Sequence, residues 1–383
     1  MSPTAEIITI GTELLLGEIV DSNAAALARA LRMIGLDLFR TTSVGDNVDR
    51  IAAAVTEASH RAEVVITTGG LGPTVDDATR EGIARAMRRP LELRAELWQQ
   101  IEHKFAQYGR IPTENNRRQA ELPQGAVAIP NPVGTAPAFR LETDGGVLIA
   151  LPGVPSEMQA LLDTEVIPYL RRRLGDTGVI RSRVLRTAGA GESWIDDQIQ
   201  DLEARHNPTV GLAAHPGKVD IRITAKADSE AQAAAMLLEV ETELRARLAA
   251  EIYGCDDELL PEVVARHLLQ RGWRACAVEA GSGGRLAMQL AAAPEPMLGM
   301  LTLPGFLDPD ALASAMADLQ GRTGAEVCLG LSLRPGADRH EAILRLSTPD
   351  GDLEQKRSYG GPPRSAAVWA ASLLIDALRR RLA

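Results

Sequence analysis

The chain has 383 residues, 45% of them hydrophobic and 24% charged, with a formal net charge of −10; that length exceeds one ordinary core and calls for two or three domains. The acidic balance argues against general binding to nucleic acid or acidic membranes, which want a basic surface, and 3% aromatics leave little for base-stacking platforms. Cys255, Cys276 and Cys328 are widely spaced and form no paired motif, so a structural zinc site is not expected. With no basic leader and no apolar run long enough to span a bilayer, the expected location is cytoplasmic.

In chain order, residues 5–10 read as a short buried strand ended by Gly11. Asp21 or Ser22 then caps a helix in which Leu27, Ala28, Leu31 and Ile34 recur at helical spacing, and Gly35 stops it. A strand over 36–44, a helix over 48–60 and a strand over 63–68 follow, the last ending in Gly69-Gly70. Thr74 or Asp76 is expected to open the next helix. Residues 147–151 read as a further strand ended by Pro152-Gly153, with a helix from about Pro155. This alternation predicts a mostly parallel sheet with helices on both faces, and ligands at the carboxyl ends of its strands. Composition changes near Leu174-Gly175-Asp176-Thr177-Gly178. Beyond it, a strand (181–188), a helix (193–205), two strands (209–214 and 218–225) and a long helix (229–250) make a small α+β unit. A third segment begins with a helix (259–271) and a strand (274–278) and closes with strands near 328–333 and 342–347 and a helix over 364–382.

The strongest chemical signal is Thr67-Thr68-Gly69-Gly70-Leu71-Gly72-Pro73-Thr74-Val75-Asp76-Asp77-Ala78-Thr79-Arg80. Glycines directly after a strand let backbone amides approach a phosphate. Adjacent carboxylates suit a divalent cation or a general base beside that phosphate. The plainer reading is a tight strand-to-helix turn capped by Asp76, which leaves Thr74, Asp77 and Arg80 unexplained. Three more loops fall where strands end. Gly11-Thr12-Glu13 leads toward Asp21 and Asn23, with Asp21 equally readable as a simple cap. Asn131-Pro132-Val133-Gly134-Thr135 is a rigid loop with an amide and a hydroxyl to offer, and Pro152-Gly153-Val154-Pro155-Ser156-Glu157 offers amides at a helix start.

Taken in order, Gly-Thr-Glu-Leu-Leu-Leu-Gly (11–17), Thr-Gly-Gly-Leu-Gly-Pro-Thr-Val-Asp-Asp (68–77), Glu-Asn-Asn-Arg-Arg-Gln-Ala (114–120), Asn-Pro-Val-Gly-Thr-Ala-Pro (131–137) and Leu-Pro-Gly-Val-Pro-Ser-Glu-Met (151–158) resemble the CinA, competence/damage-inducible, family. The family's N-terminal domain is similar to the molybdopterin-binding fold of MoaB and MogA. The resemblance implies an α/β chain in three parts: a three-layer domain with a mostly parallel sheet (1–173), a small KH-like α+β domain (174–254) and an amidase-like α/β domain (255–383). It also implies a homodimer and an ADP-ribose pyrophosphatase dependent on a divalent metal (cobalt, manganese or magnesium), with potassium as a further ion. Asp77 is then the first candidate catalytic carboxylate, with Asp76 and Glu13 beside it, and Asp77, Asp46 and Asp21 are candidate metal ligands. Gly69, Gly70, Gly72, Thr74, Asn115, Arg117, Gly134, Thr135 and Gly153 are candidates for holding the nucleotide's phosphates. A nucleotide- or pterin-binding protein without turnover is the alternative, because a fold alone does not fix a substrate.

The family's third domain is usually a nicotinamide-nucleotide amidase with the signature Ala-Glu-Ser-Cys-Thr-Gly-Gly. Here Val278-Glu279-Ala280-Gly281-Ser282-Gly283-Gly284 stands instead. Ala280 occupies the nucleophile's position and has no oxygen to attack with. Ser282 is the one displaced candidate, and no lysine near it in sequence would activate it. A retained scaffold domain is the expectation. The KH-like unit lacks a Gly-x-x-Gly loop between its two expected helices, so nucleic-acid binding is not expected of it.

Overall fold

The computed structural model describes residues 3–107, 109–175, 178–336 and 338–383. Met1 and Ser2 of the leader reading, and Asp176 and Thr177 at the change of composition, lie outside them. The chain divides into two compact units, Met1–Arg181 with Lys226–Ala233, and Ser182–Ala225 with Ala234–Ala383. Among the described residues no helix is long and apolar enough to cross a membrane.

The first unit contains β1 (Thr4–Ile10), β2 (Asp37–Val44), β3 (Val64–Thr68), β4 (Leu91–Leu93), β5 (Glu121–Pro123), β6 (Val127–Ile129), β7 (Ala138–Glu142) and β8 (Val147–Leu151). Its helices are α1 (Thr12–Leu15), α2 (Ser22–Met33), α3 (Val48–Ser59), α4 (Thr79–Ala86), α5 (Ala95–Gln107), α6 (Pro155–Leu161) and α7 (Ile167–Leu174). Six strands form one sheet in the order β2-β1-β3-β8-β7-β6. The first four are mutually parallel, and β7 is antiparallel to both β8 and β6.

Strand periodicity explains the three layers. Ile8 and Ile10 of β1, Val65 of β3, and Leu148 and Ala150 of β8 face one core with Ile51, Val55, Ile83, Leu97 and Ile101 from α3, α4 and α5. The alternate residues Ala5, Ile7, Val64, Ile66, Val147 and Ile149 face a second core with Leu27, Leu31, Met158, Leu161 and Leu170 from α2, α6 and α7. Both faces of the sheet are therefore covered, as a parallel sheet requires.

The short strands β4, β5 and β6, the helix α5 and the 3-10 helix Glu114–Ala120 lay outside the sequence expectations, because three-residue strands carry too few positions for a period to show. The helix expected from Thr74 or Asp76 begins instead at Thr79. Asp77 turns back on the Thr74 amide (2.8 Å) and hydroxyl (2.5 Å), and this side-chain turn holds residues 70–78 open in place of a first helical turn.

A four-stranded sheet, most of whose residues fall in the second unit, has the order β10-β11-β9-β12, from β9 (Val179–Ala188), β10 (Thr209–His215), β11 (Lys218–Ala227) and β12 (Ile252–Cys255). The helices α8 (Glu192–Glu203) and α9 (Glu230–Arg247) share its core through Ile195, Ile199, Val240 and Leu244. A five-stranded sheet of order β14-β13-β15-β16-β17 comprises β13 (Ala275–Ala280), β14 (Met297–Leu303), β15 (Val327–Arg334), β16 (His340–Ser347) and β17 (Leu353–Tyr359). Its helices are α10 (Leu260–Gln270), α11 (Arg285–Leu290), α12 (Pro309–Thr323) and the long α13 (Pro363–Leu382).

Candidate active site

Because β1, β2, β3 and β8 are parallel, their carboxyl ends share one edge of the sheet. The loop 130–137 rises at the same edge, since β6 and β8 both run antiparallel to β7. Hydrogen bonds tie these loops together. Gly69 N–H donates to the Leu151 carbonyl (3.0 Å), and Asn23 Nδ2 donates to Thr68 Oγ1 (3.1 Å) and the Gly153 carbonyl (2.8 Å). Asn131 Nδ2 donates to Glu157 Oε2 (2.7 Å). The four loops singled out in the sequence thus meet at one sheet edge.

The centre of this edge is the loop after β3. Gly69 has φ +109° and Gly70 φ +63°; a Cβ on Gly69 would lie 2.0 Å from the Ile10 carbonyl oxygen, and one on Gly70 would lie 2.3 Å from Thr79 Oγ1. Only glycine fits either position. The Gly69 carbonyl accepts from Thr79 Oγ1 (2.7 Å) and the Gly70 carbonyl from Thr79 N–H (3.3 Å). Arg80, only 3% exposed, donates to the Leu71 carbonyl (2.6 Å) and the Gly72 carbonyl (3.3 Å).

In a trans peptide the N–H points away from the C=O. With the Gly69, Gly70 and Leu71 carbonyls drawn toward Thr79 and Arg80, the N–H groups of Gly70, Leu71 and Gly72 point the other way, and none has an acceptor among the described residues. Three consecutive amides without an acceptor at a strand end are suited to cradle an anion. Burial pushes the Arg80 guanidinium down to about 10, with Asp77 opposing, so it stays charged at neutral pH behind the cradle; its Nε has no partner.

Two threonine–aspartate clamps occur in the loops of this sheet edge, one between the loops after β1 and β2 and one in the loop after β3. Asp46 Oδ2 accepts from Thr12 N–H and Oγ1 (2.8 Å each), and Asp77 Oδ2 accepts from Thr74 as described. In both, Oδ1 receives no hydrogen bond from the described residues. Asp76 is exposed. Glu13 folds back over Gly11, where a Cβ would lie 2.6 Å from its carboxylate. Asp21 Oδ1 caps α2 by accepting from Ala24 N–H (2.9 Å), in agreement with the plainer of its two readings. Among the described residues no three Asp, Glu, His or Cys side chains gather into a ready-made metal cluster.

The remaining candidates divide. Gly134 does not offer its amide: that N–H donates to Asn131 Oδ1 (2.9 Å), and a Cβ there would lie 2.1 Å from the Glu157 carboxylate. Its role is to fit, while the Thr135 hydroxyl donates to Gln119 Oε1 (3.3 Å). Gly153 passes so close that a Cβ would lie 3.2 Å from Gly69 Cα. Asn115 accepts from the Thr113 hydroxyl. Arg117 pairs with Glu114 (3.2 Å) and lies over the Trp98 ring, whereas its neighbour Arg118 reaches the Thr74 carbonyl (3.0 Å) and Glu81 (2.7 Å).

Sequence reasoning gave no site role to Lys104, whose Nζ donates to the carbonyls of Gly134 (2.5 Å) and Asn131 and whose ammonium burial pushes down. It lies on α5, a helix with no recognised motif, so only its lone basic side chain beside Ile101 would have signalled it. Arg80 had a signal, a cation one helical turn after Asp77, but its target is the loop backbone, which sequence does not display.

In the second unit, Glu279 works as a clamp. It accepts from Ser282 Oγ (2.5 Å), the amides of Leu286 (3.0 Å) and Ala287 (3.2 Å), and Thr302 Oγ1 (3.2 Å). Each oxygen already takes two hydrogen bonds, and Ser282 is 4% exposed. The pair fastens the start of α11, with the Ser282 hydroxyl committed to Glu279. Ser282→Ala is therefore expected to leave ammonia release from nicotinamide mononucleotide at the buffer level of the parent chain, and to cost about 1.5–3 kcal/mol in urea unfolding, the worth of a hydrogen bond to a charged group. Ammonia release that the variant abolishes would contradict this.

A family model described as "Probable molybdopterin binding domain" matches residues 6–172, and one described as "Damage-inducible protein CinA KH domain" matches residues 182–254. A CinA-like protein of Parasynechococcus marenigrum (strain WH8102) is 40% identical, over 98% of this chain and 98% of its own. A CinA-like protein of Prochlorococcus marinus (strain MIT 9313) is 41% identical over 92% of this chain and 84% of its own. Among solved structures, the protein CinA from Thermoplasma acidophilum is similar at 35% identity and a TM-score of 0.41, over 45% of this chain and 98% of that one.

Proposed function

This chain belongs to the CinA family, and from that premise we propose that its N-terminal domain (1–173) hydrolyses the pyrophosphate of ADP-ribose or a related nucleoside-diphosphate sugar. The observation that carries the proposal is the cradle of three unbonded amides at Gly70, Leu71 and Gly72, set beside two carboxylates that each keep one oxygen free. The amides receive phosphate oxygens; Thr79, on the Gly69 and Gly70 carbonyls, and the buried Arg80, on the Leu71 carbonyl, hold the peptide planes that aim them. This is anion stabilisation that needs no rearrangement during reaction. Arg118, anchored on the Thr74 carbonyl, adds positive charge beside the loop. Water adds to one phosphorus, the bridging P–O bond breaks, and AMP and ribose 5-phosphate leave.

The donor set fits a small divalent cation. Such ions take one or two carboxylates, with water and substrate phosphate completing the shell; Asp77, Asp46 and Asp21 each keep one oxygen that accepts no hydrogen bond from the described residues, and Asp21 is set apart by its place as the cap of α2. A cation held there supplies charge neutralisation and a more acidic bound water. Purified protein incubated with cobalt, manganese or magnesium, with and without potassium, is expected to turn ADP-ribose into AMP while leaving nicotinamide mononucleotide intact. Tight ADP-ribose binding with no AMP under any of these ions would favour a binding protein without turnover. We further propose the divisions 174–254 and 255–383 for the remaining domains and a cytoplasmic homodimer; light scattering is expected to give the mass of two chains.

A further inference from the structure

In the second unit the turn after β9, the turn between β10 and β11, the strand β17 and one face of α13 line an open cavity of about 1000 Å³. Small-molecule sites run to roughly this size. Its walls are fixed by close backbone approach. A Cβ on Gly217 would lie 2.9 Å from Ser372 Cβ, and one on Gly189 would lie 2.6 Å from Asp376 Oδ2; Gly189 N–H donates to the Gly217 carbonyl (3.3 Å).

The charges lining the cavity do not balance internally. Arg380 is neutralised by Asp376 (2.7 Å) and Glu251 (3.6 Å). Lys218 has no hydrogen-bond acceptor among the described residues, and burial pushes its ammonium down; its neighbour Asp220 is already taken by Arg186 (2.5 Å) and His215 (3.1 Å). Arg357 donates only to Gln355 Oε1 (2.9 Å), and Arg381 bonds neutral oxygens of residues 348–352. Among the described residues these three cations thus lack a carboxylate partner, against one unpaired acid, Glu192, in a chain whose overall charge is −10. A partly desolvated ammonium without a partner is relieved by an anion. Beside these cations stand Tyr359 and Trp369, with ring centroids 4.9 Å apart and planes 34° apart, an apolar wall suited to a planar ring.

We propose that this cavity is a second ligand site, separate from the N-terminal cradle, that binds a nucleoside monophosphate. The phosphate meets Lys218 and Arg357, and the base lies on the Tyr359–Trp369 wall. Calorimetric titration of the full chain with AMP, adenosine and ribose 5-phosphate tests it. AMP is expected to bind at least tenfold more tightly than either fragment. The doubly substituted Lys218→Glu, Arg357→Glu chain is expected to lose this binding while keeping the parent rate of ADP-ribose hydrolysis. Hydrogen exchange on the unsubstituted chain gives an independent reading: AMP is expected to slow exchange of the amides at 189–192 and 215–218. Adenosine binding as tightly as AMP, an unchanged AMP titration in the double variant, or no protection of those two turns would each overturn the proposal.

Discussion

Replacing Asp77 by Asn is expected to lower kcat for ADP-ribose hydrolysis by about 10²–10⁴-fold, the range in which a positioned catalytic carboxylate contributes. The substitution separates charge from architecture. Asp77 Oδ2 holds the Thr74 amide and hydroxyl, and the Asn amide oxygen accepts both of those bonds. The open turn over 70–78 therefore survives, and the thermal midpoint and circular dichroism should match the parent. What disappears is the negative charge whose second oxygen no protein donor occupies. Asp21→Asn is the matched control: its cap on Ala24 is kept by Asn, an equally good capping residue, and activity is expected to stay within about twofold. Parent-like turnover in Asp77→Asn would remove Asp77 from the chemistry and leave the cradle as a binding site.

Arg80→Leu is expected to produce the largest loss of stability among the site variants. The guanidinium is buried and serves two loop carbonyls, Leu71 and Gly72. Removing it leaves both without their donor, at about 1–3 kcal/mol for each buried acceptor so stranded. The functional effect follows from peptide geometry. Once the Leu71 carbonyl is released, the plane that aims the Gly72 amide can turn while Thr79 still holds those of Gly70 and Leu71, so KM for ADP-ribose is expected to rise more than kcat falls. Urea unfolding followed by steady-state kinetics reads both effects. A variant of parent stability with unchanged KM would show that the cradle does not depend on Arg80.

The frame of the N-terminal fold was legible because its cues are local. The apolar runs at 5–10, 63–68 and 147–151, each ended by glycine or by Pro-Gly, give buried strands with their carboxyl ends at one edge. Asp21 and Gly35 bracket the first helix because caps act within a single turn. The start of α4 was misplaced for the opposite reason. Thr74 and Asp76 are good caps in isolation, yet the Asp77 side chain closes its own turn on Thr74 and Thr79 ties the chain back to Gly69, so the helix waits until residue 79.

The residues themselves determined the family, the glycines that end the strands and the order of the four loops, since each of these is a matter of which side chain stands where. Only the tertiary structure decided which amides are free. That Arg80 rather than a surface cation backs the cradle, and that Arg118 rather than Arg117 reaches the loop, depend on groups brought together across 8 and 44 positions of sequence. A backbone N–H is identical at every residue; its availability depends on where its neighbours' carbonyls are held, and that is fixed only when the strands pack.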